Sequence, residues 1–196
     1  VSFWLAQGAF ATAVVGAAAI LLAQVPVLAV EFCWMHRANR HDPAPRASVG
    51  ECVSAWWSES WLGLKIFAWV QPFRPHAVAD QVPQGSSGRR GVVLVHGFMC
   101  NRGMWGGWMQ RLQTLGVPCM AVTLEPTFGS IDDYVPTVEE AVVRMTKATG
   151  LAPLVVAHSM GGLAVRAWLR WRRRELNAGA SPSGLVHGAS GAELPA

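Results

Sequence analysis

Leu154-Val155-Val156-Ala157-His158-Ser159-Met160-Gly161-Gly162 is the stretch whose reading decides the fold. A short apolar run leads in, small residues crowd the middle, and an amphipathic stretch follows. The spacing predicts a strand over Pro153 to Ala157, a tight turn with Ser159 at its tip, and a helix over Met160 to Leu176. Leu163, Ala164, Ala167, Trp168 and Trp171 are expected on the inner side of that helix. A sharp strand-to-helix turn has room only for small neighbours, and Ala157 and Gly161 stand two residues before and after the serine.

Upstream, the same alternation repeats. Val92-Val93-Leu94-Val95 is a short, wholly apolar run of the kind found in buried parallel strands, and His96-Gly97-Phe98 ends it. Met104, Trp108, Leu112 and Leu115 recur at helical spacing, with Gly116 as the C-cap. Val117 to Leu124 reads as a second strand and Glu125 to Ser130 as a loop. Ile131 to Thr149 is helical by period. Pro136 is expected to kink or restart it, with a capping box at Thr137–Glu140, and Gly150 to close it. Strands alternating with helices predict an α/β domain with a mostly parallel sheet.

A serine hydroxyl attacks a carbonyl only when a base removes its proton and backbone donors stabilise the oxyanion. A strand–turn–helix meets part of that need, because it lifts the serine oxygen out of the sheet and aims the next N–H at the developing charge. With His-Gly-Phe after the first strand, Val92-Val-Leu-Val-His-Gly-Phe98 and Val155-Val-Ala-His-Ser-Met-Gly-Gly162 together resemble the α/β-hydrolase superfamily, in particular bacterial serine lipases and esterases. The resemblance runs from about Gly91 to Arg174. It implies that Ser159 is the nucleophile, that the Phe98 and Met160 N–H groups form the oxyanion hole, that the substrate is a carboxylic ester or lipid, and that no cofactor or metal is needed.

The family's order of serine, acid, histidine leaves few choices after Ser159: Glu175, Glu193 and His187. Glu175 falls at the far end of the helix. His187 has the right order and is the candidate base, although family members carry more chain before their histidine. His96 and His158 flank the motifs but occupy positions that are not the base in the family, and His158 is expected to turn away from the cleft. His36, His41 and His76 belong to linker and loop. The hydrophobic pattern fades after Leu176, which leads us to expect a chain that stops before its acid and base strands. The alternative reading is a non-catalytic membrane-anchored remnant or interaction module on the same fold; amide or thioester hydrolysis is a third.

Val1 to Val30 carries no charge, and Ser2, Gln7, Thr12 and Gln24 are its polar exceptions. As a helix it would be about 45 Å long, more than the roughly 30 Å hydrocarbon core. It is expected to cross a bilayer. Arg37, Arg40 and Arg46 follow it, which by the positive-inside rule sets the hydrolase part on the cytoplasmic side of a bacterial-type inner membrane. The expected organisation is a transmembrane segment over 1–35, a linker and membrane-proximal region over 36–90, the hydrolase core over 91–176, and an irregular tail over 177–196. Within the second region, Ser48 and Glu51 fit a capping box, Trp61 to Val70 reads equally as helix or as strand, and residues 75–90 form a flexible connection.

Charged residues make up only 14% against 52% hydrophobic, and the net charge of +4 is not gathered into a stripe, which argues against nucleic acid as a partner. The Arg166 to Arg174 cluster reads as a solvated helix end. The four cysteines, Cys33, Cys52, Cys100 and Cys119, have no metal-site spacing and read as free thiols; a Cys100–Cys119 disulfide is the alternative. Oligomeric state is not legible from the sequence.

Overall fold

The computed structural model describes residues 2–83 and 88–179. The chain divides into two compact units, Val1–Pro72 and Phe73–Ala196.

The first unit is helical. Helix α1 spans Ser2–Ala38 and includes Pro26. A 3-10 turn over Asn39–His41 follows. Helix α2 spans Val49–Lys65 and opens with the capping box expected from the sequence: Ser48 Oγ accepts the Glu51 N–H, and the Glu51 carboxylate accepts the Ser48 N–H at 2.7 Å. Those bonds satisfy donors that the first helical turn would leave unpaired, and they hold the exposed Glu51 carboxyl below its usual pKa. Residues Ile66–Val70 continue as a π-helix, and Gln71–Phe73 form one further helical turn, α3. The ambiguous Trp61–Val70 stretch is therefore helix. The reason is tertiary: Cys52, Trp56, Ser60 and Gly63 recur at helical spacing and lie buried or half-buried, while no strand of this unit among the described residues offers a ladder. Trp56 Nε1 donates to the Val25 carbonyl at 2.9 Å, and Gln24 Nε2 donates to the Ser60 carbonyl at 3.3 Å.

The second unit is a small parallel sheet between helices. Its strands are β1 (Val92–Val95), β2 (Cys119–Val122) and β3 (Leu154–Ala157), in the order β2-β1-β3. Helix α4 (Gly106–Thr114) follows a 3-10 turn over Arg102–Trp105 and links β1 to β2. Helix α5 (Val135–Thr149) carries the chain from β2 across β1 to β3, and α6 (Met160–Asn177) leaves β3. Alternation along β1 sorts the core. Val93 and Val95 pack with α5 and α6, while Val92 and Leu94 pack with Trp105 and Met109. Each fully buried side chain of this strand contributes about 2 kcal/mol.

Two local readings change. The helix expected over 131–149 begins as a 3-10 turn (Ile131–Tyr134), and the capping box is Ser130–Asp133, not Thr137–Glu140. Pro136 then falls in the first turn of α5, where its missing N–H would have had no partner, so no restart is needed within the helix. Leu163 is half exposed rather than inward, because Ala164, Ala167, Trp168 and Trp171 sit on the sheet-facing side at spacings of three and four. The Gly116 and Gly150 stops hold, both with positive φ. The cysteines are free, so no Cys100–Cys119 bridge forms.

Candidate active site

The strand order sets where a site can form. From β1 the chain goes first to β2 on one side and then to β3 on the other, so connections diverge at the carboxyl ends of β1 and β3, where open parallel sheets bind ligands. Val95 is in register with Ala157, and the His158 N–H continues the ladder to the Val95 carbonyl at 3.0 Å. His96-Gly97-Phe98 and His158-Ser159-Met160 are thereby laid side by side.

Ser159 stands at the turn with φ 51° and ψ −124°, a region that costs a non-glycine residue roughly 1–3 kcal/mol. Two backbone bonds close the turn: Gly161 N–H to the His158 carbonyl at 2.9 Å, and Gly162 N–H to the Ser159 carbonyl at 2.8 Å. The serine is exposed, and its hydroxyl does not cap α6. Met160 is the first residue of α6, so its N–H has no partner within the helix and lies at the positive end of the helix dipole.

Two glycines allow the approach. A methyl on Gly97 would lie 3.1 Å from Ser159 Cβ and 3.2 Å from the His158 carbonyl. On Gly161 it would lie 2.4 Å from the His96 carbonyl and 2.8 Å from that of Val95. The second contact is with backbone and cannot be relieved by a side-chain rotation. Small residues at these positions are therefore demanded by the packing of two turns against each other.

His96 is only 1% exposed and has both ring nitrogens engaged. Nε2 accepts the Leu124 N–H at 2.8 Å, so it carries no proton, and Nδ1–H donates to the Gly97 carbonyl at 2.7 Å. The ring is thus neutral, and burial pushes its pKa down from 6.5. Its bond fixes the Gly97 carbonyl, which also accepts the Cys100 N–H at 3.3 Å across a turn with Met99 at φ 57°. In a trans peptide the carbonyl and the following N–H point in opposite directions, so His96 also sets the direction of the Phe98 N–H. His96 is a strut between the end of β1 and the Leu124 backbone.

His158 is exposed and its ring lies beside the first motif, where a methyl on Gly97 would meet Nδ1 at 3.0 Å. Among the described residues no hydrogen bond joins it to Ser159. Glu175 lies near the end of α6, about 24 Å along the axis from Ser159. His187 and Glu193 lie outside the described residues, as does the short strand read at Leu185 to His187. No group of three or more His, Cys, Asp or Glu side chains that could hold a metal occurs among the described residues.

Sequence reasoning missed the groups that brace these loops. Arg102 pairs with Asp80 at 2.6 Å, and its own N–H reaches Thr123 Oγ1 at 3.3 Å, which ties down the segment after Phe98. Asp80 also accepts the Ala121 N–H at 3.2 Å. Glu139, buried on α5, accepts Trp168 Nε1 at 2.6 Å and pairs with Arg172, joining α5 to α6. These partners lie more than 20 residues apart, so no local pattern announces them.

No curated protein and no solved structure matches the chain. A family model described as the alpha/beta hydrolase family matches residues 92–194, more than half of the chain. The match begins at the first residue of β1 and takes in both loops of the site. The parallel sheet, the strained turn at Ser159 and this match agree, and the chain belongs to the alpha/beta hydrolase family.

Proposed function

We propose that the protein is a serine hydrolase acting on carboxylic esters with an apolar acyl group, tethered to a bilayer by α1. The observation that carries the reading is the closeness of Gly97 to Ser159, which brings an exposed serine in a strained turn beside a glycine loop of fixed peptide orientation. Ser159 Oγ attacks the ester carbonyl, its proton passes to a base, and the Oγ–carbon bond forms. The Phe98 and Met160 N–H groups donate to the oxyanion. The carbon–oxygen bond to the alcohol then breaks as the base returns the proton to the leaving oxygen, and water releases the acid from the acyl-enzyme by the reverse sequence. His187, which follows Ser159 in the serine-before-histidine order of the resemblance, is the base we propose within this sequence.

Phe98 and Phe128 support an apolar acyl group. Their rings meet edge to face at 5.6 Å, and both are exposed next to the oxyanion segment. Helix α1 supports the tether: Gly8–His41 is long and apolar enough to cross a membrane, and its described side chains before Gln24 are exposed. The arginines after it favour the cytoplasmic side for the hydrolase unit.

The test is labelling of the full chain in membranes with a fluorophosphonate. Wild type should label and Ser159→Ala should not. Folded wild type that stays unlabelled, or labelling that persists in the variant, overturns the reading. In ester turnover, His187→Ala should lower the rate by at least about 100-fold; an unchanged rate removes His187 as the base.

A further inference from the structure

Helix α6 carries more arginine than its end requires. Arg174 alone falls in the last turn, where a cation meets the negative end of the helix dipole, and that attraction fades within a turn. Arg172 pairs with Glu139, and Arg170 pairs with Asp132. Arg166 and Arg173 are exposed and make no ion pair among the described residues. Neither the dipole nor an acidic neighbour accounts for these two.

Helical spacing gathers them with leucines. Arg166, Leu169, Arg173 and Leu176 follow one another at steps of three, four and three, and all four are exposed. Ala164, Ala167, Trp168 and Trp171 occupy the opposite side, against the sheet. Leu163, Arg170 and Arg174, at steps of seven and four, widen the outer face along one flank. Its three leucines are each at least half exposed. The one acid of the helix, Glu175, is half-buried on the inward side, four residues after Trp171. The outer face of α6 therefore mixes arginine with leucine and contains no carboxylate of its own. A cleft of 650 Å³ opens at its far end, with Leu169, Arg173 and Leu176 on its walls.

The mixture says what the face meets. A guanidinium matches the paired oxygens of a phosphodiester, and leucines set between arginines suit the boundary just below lipid headgroups. A nucleic acid would satisfy the arginines and leave the leucines bare. The unit shares its chain with α1, so a bilayer is always within reach, and the cytoplasmic leaflet is the anionic one. We propose that the outer face of α6 is a contact site for anionic lipid in the bilayer that α1 crosses, with Arg166 and Arg173 on headgroup phosphates and Leu169 and Leu176 at the headgroup–acyl boundary. This rests on the reading of α1 as a span and is independent of the hydrolase chemistry. Helix α4 packs on the other face of the sheet, with Val92 and Leu94, and is thereby turned to water.

The experiment uses the full chain in vesicles of phosphatidylcholine with and without phosphatidylglycerol. Single cysteines introduced as Leu169→Cys, Leu176→Cys and, at an exposed position of α4, Gln110→Cys carry a bimane fluorophore, with the four native cysteines replaced. With phosphatidylglycerol present, lipid bearing a nitroxide near the headgroup should quench positions 169 and 176 several-fold more than 110, and aqueous iodide should do the opposite. That preference should be lost in phosphatidylcholine alone, and lost again when Arg166→Glu and Arg173→Glu are combined. Equal quenching at all three positions overturns the proposal, as does a preference that survives either change. So does protection of 169 and 176 from both quenchers, which would mean that protein covers the face. If the cysteine-free background does not fold, benzoylphenylalanine at 169 or 110 in the otherwise native chain replaces it: position 169 should cross-link to phospholipid and 110 should not, and equal or reversed cross-linking overturns the proposal. Alkaline carbonate extraction separates the two readings. A chain that washes off the vesicles refutes the span itself, whereas a chain that stays with 169 as open to iodide as 110 refutes only the contact of α6.

Discussion

The two units use the same kind of side chain in opposite ways. In the sheet unit Val93, Leu94 and Val95 have no exposed surface at all, and a methyl added at Gly161 would strike backbone. In the helical unit Val14, Val15 and Ile20 lie bare, and a methyl added at Gly16 would meet nothing within 4 Å. Apolar content is thus no guide to packing. A strand between two neighbours is enclosed on both faces by its own chain, whereas a long uniform helix has more apolar surface than one partner helix can cover.

Substitutions in the full chain, followed by thermal unfolding in detergent, can break this contrast. The largest effect should come from Gly161→Ala, which should cost about 4 kcal/mol or more, because the backbone of β1 must move to admit it. Gly16→Ala should be neutral within about 0.5 kcal/mol. If both were neutral, the tight approach of the two turns would be wrong. Glu139→Ala should come next, at about 2–3 kcal/mol, since Trp168 Nε1 would lose its buried acceptor and Arg172, partly open to water, its partner. Val95→Ala should cost about 2 kcal/mol and Val15→Ala nearly nothing, and equal costs would erase the distinction between the units.

A smaller effect should depend on pH. The His96 pKa is depressed in the folded chain, so the unfolded chain takes up its proton first as pH falls. The stability it supports is complete above 6.5 and is lost as pH drops below that value towards the depressed native one. His96→Asn should flatten the fall in stability as pH drops below 6.5, relative to wild type. An unchanged slope would mean that the ring is not held neutral. Within the sheet unit the smallest effect should come from Arg170→Ala, whose exposed pair with Asp132 is worth at most about 1 kcal/mol; a larger loss would place that pair within the core linkage of α5 and α6.

What could be read in advance follows the range of the forces involved. The Ser48 cap, the valine-rich β1, the turn at Ser159 and the Gly150 stop are fixed by neighbours within a few residues, and the sequence displays them. The helical state of Trp61–Val70 was not legible, because it depends on α1 some 35 residues upstream. The inward side of α6 was misjudged by one residue at Leu163, because small alanines rather than leucine meet the sheet. The cap of the 131–149 helix was placed too late, because Pro136 suits a first turn as well as it breaks a later one.

The sequence by itself determined the alternation of strand and helix, the small residues around Ser159, and a long uncharged helix at its start. Only the tertiary structure decided what those features mean together. The order β2-β1-β3 sets Gly97 against Ser159, holds His96 as a buried strut, and makes Gly161 obligatory. Packing of α2 on α1 accompanies the helical state of the ambiguous Trp61–Val70 stretch. Periodicity specifies which residues share a face, but the neighbour that occupies that face comes from elsewhere in the chain.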